Sequence, residues 1–438
     1  MKQPLRSWGN HPATAQTGQP VHWRDEVPAV LAAVARVHGD TLAYGNGRSY
    51  GDSCIAASEH ALQLRGLDRF IAFDREQGIL RAEAGVTLGE ILALAIPHGW
   101  FLPVTPGTQF VTLGGAIAND VHGKNHHRRG TFGRHVRQFG LLRSGETGHT
   151  CSPATNSELF AATIGGLGLT GIITWAEVAL MPVRSSQVDT LTVRFDSLAE
   201  FFALSAELDP QHEYSVAWID CLADGSRAGR GAFSAGDHAV DGPLSVAGTS
   251  ALRLPFTPPF SLVNAATLRA FNTAYWHLQP ARRRARRRDY APFFYPLDGI
   301  RDWNRGYGPG GFQQYQCVIP EAAAADAIGE LLAAIAASGR GSFLAVLKRC
   351  GDLQSPGLLS FPLAGTSLAL DFPQHDDLDR RLFPRLDAIV RSAGGRLYPA
   401  KDAHMRGEDF RRAYPAWEQL AALRDPALNS RFWQRVTS

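Results

Sequence analysis

The sequence predicts an α+β protein with two domains, and three observations support this fold class. The chain has 438 residues, more than the roughly 250 to 300 at which a single hydrophobic core stops growing. Residues 20–182 mix short strand patterns with helices. From residue 312 to residue 398 the patterns follow a β-α-β-β-α-β order, which favours an antiparallel sheet with helices on one face.

The elements of the first domain are predicted from alternating patterns and one helix start. Residues 70–73 and 79–84 have the composition and alternation of strands. Thr87 and Glu90 form a capping-box pattern, so a helix should begin there and end near Gly99.

A new series of elements begins at Gln187. Residues 188–195 alternate as a strand does, Ser197 and Glu200 form a second capping box, and residues 214–220 predict another strand. The later elements are predicted as strands over 312–319, 342–348, 367–372 and 396–398 and as helices over 320–338 and 376–392.

Composition is that of an ordinary globular enzyme. Hydrophobic residues make up 45% and charged residues 19%, which excludes a disordered chain. The net charge of +3 is too small to indicate nucleic acid as a partner. The five cysteines are scattered and form no C-x-x-C pair, so neither a disulfide framework nor a zinc site is expected. With no secretory signal pattern and no apolar run near the roughly 20 residues that span a bilayer, we expect a cytoplasmic protein.

Three glycine-rich loops in one domain are the most informative local feature. They lie at residues 44–52, 105–126 and 164–172. A diphosphate needs several backbone N–H groups aimed at one point, and glycine allows the tight turns and close approach that this requires. Gly45, Gly47 and Gly51 suit that role. Their spacing is not G-x-G-x-x-G, so a Rossmann-type dinucleotide site is disfavoured.

In this order the loops resemble the FAD-binding domain of the vanillyl-alcohol oxidase / p-cresol methylhydroxylase superfamily, the PCMH-type domain. Five strings resemble the branch of that superfamily that oxidises polyprenyl-phosphoryl ribose. They are Gly-Arg-Ser-Tyr-Gly-Asp (47–52), Asp-Val-His-Gly-Lys-Asn-His-His (120–127), Asn-Arg-Gly-Tyr-Gly-Pro (304–309), Gln-Tyr-Gln (314–316) and Ala-Lys-Asp (400–402). Because the strings are spread over the chain in the matching order, together they are more specific than any single glycine loop.

The resemblance also implies a domain organisation. Residues 1–186 and 396–438 would form the PCMH-type FAD-binding domain, built of two α/β subdomains. Residues 187–395 would form an inserted substrate domain, with an antiparallel sheet covered by helices. Within it, the region near 241–311 is predicted as a mobile basic loop, because it is rich in Pro, Gly and Arg.

The basic loop contains six arginines at residues 282–288. Such a run is typical of a solvated surface. The alternative is a contact for anionic lipid headgroups or a polyprenyl phosphate, since each basic residue near a membrane contributes about 1 kcal/mol.

The cofactor implied by the resemblance is dissociable FAD. Many members of the superfamily bind flavin covalently through a histidine in Gly-x-Gly-His-Ser, and this chain has Arg48 at that place. The FAD-binding residues implied are Gly45, Asn46, Gly47, Arg48, Ser49, Tyr50, Gly107, Thr108, Thr112, Gly114, Gly115, Ala116, Asn119, Val121, His122, Gly123, Gly168, Gly171, Ile172 and Tyr398.

Three residues are the catalytic candidates: Lys401, Tyr50 and His122. The resemblance places Lys401 against flavin and sugar, where an ammonium can hydrogen-bond a hydroxyl or stabilise a developing alkoxide. Without the resemblance, Lys401 would be interpreted as a surface lysine. Tyr50 offers a hydroxyl near the same place, the alternative being a packing aromatic. The histidines of residues 122–127 have no carboxylate or cysteine at ligand spacing, so a metal site is not expected.

The substrate-binding candidates are Lys124, Gln314, Gln316, Lys348 and Ser367. Gln314 and Gln316 alternate along one predicted strand and share a face, and Lys348 ends another strand. Amides and an ammonium on one sheet face can bind sugar hydroxyls or a phosphate; a solvated sheet face is the alternative.

The function implied is FAD-dependent oxidation of a sugar secondary alcohol, the 2′-hydroxyl of a polyprenyl-phosphoryl-β-D-ribose. This is the oxidase half of a 2′-epimerase that makes a cell-wall arabinan precursor, with a separate NADH-dependent short-chain reductase as partner and peripheral contact at the inner membrane face. A soluble aldonolactone or alditol oxidase with a free sugar as substrate is one alternative. A non-catalytic FAD-binding electron-transfer subunit is the other.

Overall fold

A computed structural model describes residues 4–145, 147–248 and 252–438. Within these residues the strands are β1 Thr17–Pro20, β2 Leu42–Tyr44, β3 His60–Gln63, β4 Phe70–Asp74, β5 Ile79–Glu83, β6 Trp100–Phe101, β7 Val136–Leu142, β8 His149–Cys151, β9 Ile172–Ala179, β10 Met181–Pro182, β11 Gln187–Phe195, β12 Tyr214–Ile219, β13 Gly231–His238, β14 Arg284–Asp289, β15 Phe312–Pro320, β16 Val346–Cys350, β17 Gly365–Pro373 and β18 Arg396–Leu397. The helices of the same residues are α1 Val27–His38, α2 Leu88–Ala95, α3 Leu113–Ala118, α4 His126–Arg129, α5 Ser157–Thr163, α6 Leu198–Leu208, α7 Ala265–Leu278, α8 Tyr290–Phe294, α9 Ala324–Ser338, α10 Phe383–Ser392, α11 Gly407–Ala413, α12 Trp417–Leu423 and α13 Arg431–Thr437. None of the described helices is both long and apolar enough to cross a bilayer.

In the described parts of the chain, the strands form two small and two large sheets. Strands β1, β3 and β2 pair in parallel, and β6 pairs with β10. The order β4-β5-β9-β7-β8 makes a five-stranded antiparallel sheet. The largest sheet is antiparallel, with the order β14-β11-β13-β12-β16-β17-β15-β18. The α+β fold class is therefore confirmed, while the exact domain boundaries at residues 187 and 396 stay a prediction.

The predicted capping box at Thr87 forms in full, whereas the one at Ser197 forms only in half, because the Glu200 carboxylate accepts from the amide of Asp196 and not from that of Ser197. The Thr87 hydroxyl accepts from the Glu90 amide, and the Glu90 carboxylate accepts from the Thr87 amide. Helix α2 is followed by a short turn that ends at Gly99, which has a φ of 80°. In the second box Ser197 caps the amide of Glu200. These contacts satisfy amides that a helix start leaves unpaired, so local sequence fixes where α2 and α6 begin.

The two faces of the largest sheet have different environments. On one face, apolar side chains such as Cys317 and Leu370 pack with α9 and α10 in the main hydrophobic core. The opposite face of β15, β16 and β17 carries the predicted glutamines and Lys348 and lines a cavity. Strand alternation therefore separates a folding face from a polar face.

The C-terminal segment packs back on the first glycine loop. Short bridges join Thr41 to Leu428 and Ala56 to Ser430. Arg435 in α13 forms ion pairs with Asp52 and Asp402. This contact ties the loop that contains Tyr50 to the segment that contains Lys401.

The prediction of a loop over 241–311 is wrong for three of its segments, one of which is the short buried helix α8, Tyr290–Phe294. Residues Ala265–Leu278 form α7, and Arg284–Asp289 form the exposed edge strand β14, which pairs with β11. Arg287 pairs with Asp189 and Asp241 across the sheet surface. Because an edge strand exposed on both faces has no apolar alternation, the arginine run gave no strand signal.

Candidate active site

A cavity of about 760 Å³ lies between the glycine loops and the largest sheet. All three glycine loops contribute to its lining, together with inner strands of the sheet and the segment between β18 and α11. Its volume falls in the range of about 300 to 1,000 Å³ that is usual for ligand sites. The fold therefore places the loops and the polar sheet face around one space.

Most of the residues singled out in the sequence line this cavity. They are Gly45, Asn46, Gly47, Arg48, Ser49, Tyr50, Gly107, Thr108, Thr112, Gly114, Gly115, Asn119, Val121, His122, Gly123, Lys124, Gly168, Gly171, Gln314, Gln316, Lys348, Ser367, Tyr398 and Lys401. Three candidates differ and do not line the cavity: Gly51 packs against the backbone of Asp402, and Ala116 and Ile172 are fully buried. Ala116 and Ile172 lie on the core side of α3 and β9, where they belong to hydrophobic clusters.

The first glycine loop leaves no room for side chains at Gly45 and Gly47. Gly47 has a φ of 60°, and a Cβ there would collide with the Tyr44 hydroxyl. A Cβ on Gly45 would collide with the Thr112 hydroxyl. By contrast, nothing lies within 4 Å of the position a Cβ would take on Gly107, whose backbone borders open cavity. Glycine here lets the backbone itself form the wall, as close approach of a cofactor requires.

Arg48 supplies a test of whether these residues fit FAD. Its guanidinium packs 4.0 Å from the Trp8 ring centroid, and its Nε is buried without a hydrogen-bond partner in the described structure. Burial holds the pKa of Arg48 below its usual value. The Ser53 hydroxyl in the same lining is also buried and unpaired. Buried hydrogen-bond donors without a protein partner are satisfied when an anion rich in acceptor oxygens binds beside them. The diphosphate of FAD is such an anion, so the site fits FAD.

The sheet wall is built by register. Across β15 and β17, Gln314 lies opposite Asp371 and Gln316 lies opposite Ala369. Across β16 and β17, Lys348 lies opposite Ser367. These side chains share one face because residues two apart on a strand point the same way. Two amides, an ammonium, a hydroxyl and a carboxylate thus form one polar surface inside the protein.

His122 is held by two residues of this wall. The Lys348 ammonium donates to His122 Nδ1 over 2.6 Å and to the Gly123 carbonyl over 2.8 Å. The Gln316 amide lies 3.1 Å from His122 Nε2. Burial, followed by the charge of Lys348, holds the pKa of His122 well below its usual value. The ring is therefore neutral, with both nitrogens engaged by the protein.

The structure brings Lys401 and Tyr50 into contact. The Lys401 ammonium lies 3.5 Å from the Tyr50 ring centroid. Burial lowers the pKa of Lys401 to about 7, against the opposing effect of the Asp371 carboxylate. Burial and the charge of Asp371 hold the pKa of Tyr50 well above 10, so its hydroxyl stays protonated.

Asp371 is a site residue that the sequence reasoning missed. Its Oδ1 accepts from Gln314 over 2.7 Å, and Tyr307 donates to Oδ2 over 3.4 Å. Burial raises its pKa to about 6. One signal was available: Asp371 is a single acid in an apolar strand and shares the alternation of Ser367.

Lys124 adds a third ammonium to the cavity. It donates to the Phe293 carbonyl and lies 4.5 Å from the Phe293 ring centroid. Burial, together with the charge of Lys348, lowers its pKa to about 7. With Lys348 and Lys401, it makes the cavity lining rich in cations, which suits a phosphate-bearing ligand.

The comparisons with known proteins agree with this geometry. Residues 21–152 match the family model of an FAD binding domain, a range that contains the first two glycine loops. The chain is 35% identical to the decaprenylphosphoryl-beta-D-ribose oxidase of Mycolicibacterium smegmatis, with 96% of this chain and 93% of that protein covered. It is 35% identical to an uncharacterized protein of Streptomyces coelicolor over 77% and 95% of the two chains. The human Delta(24)-sterol reductase is 29% identical over 31% of this chain and 25% of its own.

Proposed function

This chain belongs to the family of the decaprenylphosphoryl-β-D-ribose oxidases and is an FAD-dependent oxidoreductase, and from this premise we propose its substrate. The enzyme oxidises the 2′-hydroxyl of a polyprenyl-phosphoryl-β-D-ribose to the 2′-keto form. The observation that carries the proposal is the cavity wall, where amides and ammonium groups surround Lys401 and Tyr50. The amides can hydrogen-bond the ribose hydroxyls, and the ammonium groups can pair with the phosphate.

Each part of the wall has a task in this reaction. Bound FAD supplies the acceptor for the hydride of the sugar carbon. Lys401, held on the Tyr50 ring, donates to the reacting hydroxyl oxygen and stabilises negative charge that develops there. Lys348 fixes the ring of His122, which in turn orients the Gln316 amide toward the sugar. The Lys124 ammonium binds the phosphate of the substrate.

The chain region 240–301, which supplies part of the cavity lining, suits the lipid part of the substrate. Arg253, Arg288 and Arg301 line the cavity. Large apolar side chains are exposed in the same region of the chain: Val240, Val246, Leu252, Phe256, Phe260, Leu262, Phe271, Leu278 and Ile300. We call these residues the lipid face. Exposed apolar groups beside arginines match an anionic membrane, so the enzyme works at the cytoplasmic membrane surface as a peripheral protein.

Vesicle sedimentation tests the lipid face. Phe256 and Phe260 are each about two-thirds exposed, at 64% and 67%. The double change Phe256→Ser and Phe260→Ser should reduce binding to phosphatidylglycerol vesicles, and vesicles of phosphatidylcholine alone should bind less of the native protein. Val37→Ser on α1, with 67% exposure, is the matched control. Equal binding of both variants would contradict this surface.

The keto product needs a second enzyme. We propose that a separate NADH-dependent short-chain reductase takes the 2′-keto sugar and completes the epimerisation. Anaerobic single-turnover assays with and without such a reductase test this step. The arabinose product should appear only when the reductase and NADH are both present, and its formation by this chain alone would contradict the division of labour.

Substrate identity is tested by anaerobic stopped-flow bleaching of the flavin band. A short-chain polyprenyl-phosphoryl ribose should bleach the flavin rapidly, while free alditols and aldonolactones should not. Bleaching by free sugars alone would instead make the protein an alditol or aldonolactone oxidase. A flavin that none of these compounds reduces would make the proposed substrate wrong.

A further inference from the structure

Oxidation of an alcohol to a ketone removes a hydride from carbon and a proton from oxygen, so the cavity must contain a proton acceptor. His122 does not fit this role, because Lys348 and Gln316 engage both of its nitrogens. Tyr50 does not fit either, because its hydroxyl stays protonated in the buried wall. The remaining groups near the reacting hydroxyl are Lys401 and the acids of the cavity.

Three acids line the cavity in the described structure, and only Asp371 stands on a strand of the sheet wall, whereas Asp298 and Asp302 lie in the turns that follow α8. Asp298 accepts from the Gln109 amide over 2.9 Å. Asp302 forms an ion pair with Arg253 over 2.6 Å. Asp371 differs, since it stands in the sheet wall and its hydrogen bonds come from the neutral groups of Gln314 and Tyr307.

We propose that Asp371 is the general base that accepts the proton of the substrate hydroxyl. This inference rests on the proposed function. Each oxygen of the carboxylate accepts one hydrogen bond from the protein, which leaves lone pairs for a substrate O–H. Gln314, directly opposite in the register, holds the carboxylate in place.

The step balances with the established flavin chemistry. The C–H bond breaks, and its hydride carries two electrons to the bound flavin. The O–H bond breaks, its proton passes to the Asp371 carboxylate, and its electron pair completes the C=O bond. Lys401 donates to the oxygen throughout, so the acid and the base of the site are separate groups. With a pKa of about 6, Asp371 is ionised at neutral pH and ready to accept the proton.

Asp371→Asn tests the proposal, because the amide keeps the shape and removes the base. Single-turnover flavin reduction by the ribosyl lipid should slow by about 10² to 10⁴-fold. Two readouts besides activity should stay the same: the FAD content, and the affinity for an unreactive 2′-deoxy analogue. Asp379→Asn is the matched control, because Asp379 accepts from Gln313, whose side chain lies on the opposite face of β15 from Gln314.

The pH profile distinguishes Asp371 from Lys401 as the base. If Asp371 is the base, the native reduction rate rises with pH through the carboxyl's pKa of about 6, and Asp371→Asn loses this rise. If Lys401 is the base, Asp371→Asn keeps a rate within about threefold of the native protein. Its rise would then move to lower pH, because loss of the negative charge lowers the pKa of Lys401. That result would overturn the proposal.

A second variant keeps the test decisive if Asp371→Asn does not retain FAD. Asp371→Glu keeps a carboxylate, so it should reduce flavin more slowly with the acid-side rise still present. A reactive Asp371→Glu enzyme without that rise would overturn the proposal. Failure of the native enzyme to be reduced by the ribosyl lipid would instead refute the proposed substrate, which separates the two claims.

Discussion

Two regions of the molecule bury positive charge in different ways. Outside the cavity, Arg230 lies 2.7 Å from Asp220, and Arg435 bridges Asp52 and Asp402. Inside the cavity, Lys124 and Lys401 have no carboxylate within 4.0 Å among the described residues, and aromatic rings and a carbonyl surround them. The first arrangement is what a stable fold requires of a buried charge.

The difference shows which charges serve the fold and which serve a ligand. An ammonium removed from bulk water without a counter-ion destabilises the folded chain, and its pKa falls as a result. The pKa values of about 7 for Lys124 and Lys401 report this cost. A chain retains such groups where a bound anion or a developing negative charge completes the pairing.

The largest expected change in stability concerns the ion pair of Arg230 and Asp220, outside the cavity. Arg230→Met should lower the free energy of unfolding by about 3 to 5 kcal/mol, because Asp220 would be left buried without its cation. Urea unfolding measures this change. The double variant Arg230→Met with Asp220→Leu should recover most of the loss, and a double variant as unstable as the single one would contradict the pairing argument.

Removing a buried charge from the cavity should raise the free energy of unfolding instead of lowering it. Lys124→Met should raise the free energy of unfolding at pH 7 by more than about 1 kcal/mol, because the pKa of Lys124 falls from 10.5 to about 7 on folding. Between these values the unfolded chain binds more protons, so native stability rises with pH. The advantage of the variant should therefore shrink toward alkaline pH.

Urea unfolding at several pH values and fixed excess FAD measures this difference. The same variant should bind the ribosyl lipid more weakly, since it lacks the cation assigned to the phosphate. Parallel stability curves for the two proteins at all pH values would contradict the unpaired state of Lys124. Arg137→Met is a control on the protein surface, where the arginine is 55% exposed and should change little.

The smallest effect concerns the cofactor linkage. Arg48 stands where a covalent histidine would be, so the protein should bind FAD without a bond to the chain. Denaturation followed by filtration should release all the flavin into the filtrate. Flavin that stays with the unfolded chain would contradict this prediction.

Local sequence predicted the parts of this molecule whose physics is local. The capping box at Thr87 and the Ser197 cap on the Glu200 amide formed because the partner lies three residues away. The edge strand Arg284–Asp289 was missed, because its stability comes from pairing with β11 and from ion pairs that no local pattern reveals. Resemblance, not periodicity, indicated most of the cavity residues.

The contacts inside the site could not be predicted from the sequence either, because they join residues that are far apart along the chain. Lys348 reaches His122 across 226 residues, and Asp371 meets Gln314 only through the register of two strands. Ala116 and Ile172 lie next to true lining residues along the chain but point into the core. Which neighbour faces the cavity depends on the orientation of α3 and β9, which tertiary packing decides.

Lys401→Met gives the most direct test of the cavity as a catalytic site. The holoenzyme should stay folded and keep its FAD, while single-turnover reduction of the flavin by polyprenyl-phosphoryl ribose should slow by about 10² to 10³-fold, as loss of one donor to a developing oxyanion does. Such a result would place Lys401 in the reaction. A variant that keeps its FAD and is reduced at the native rate would show that the unpaired cation on the Tyr50 ring takes no part in it.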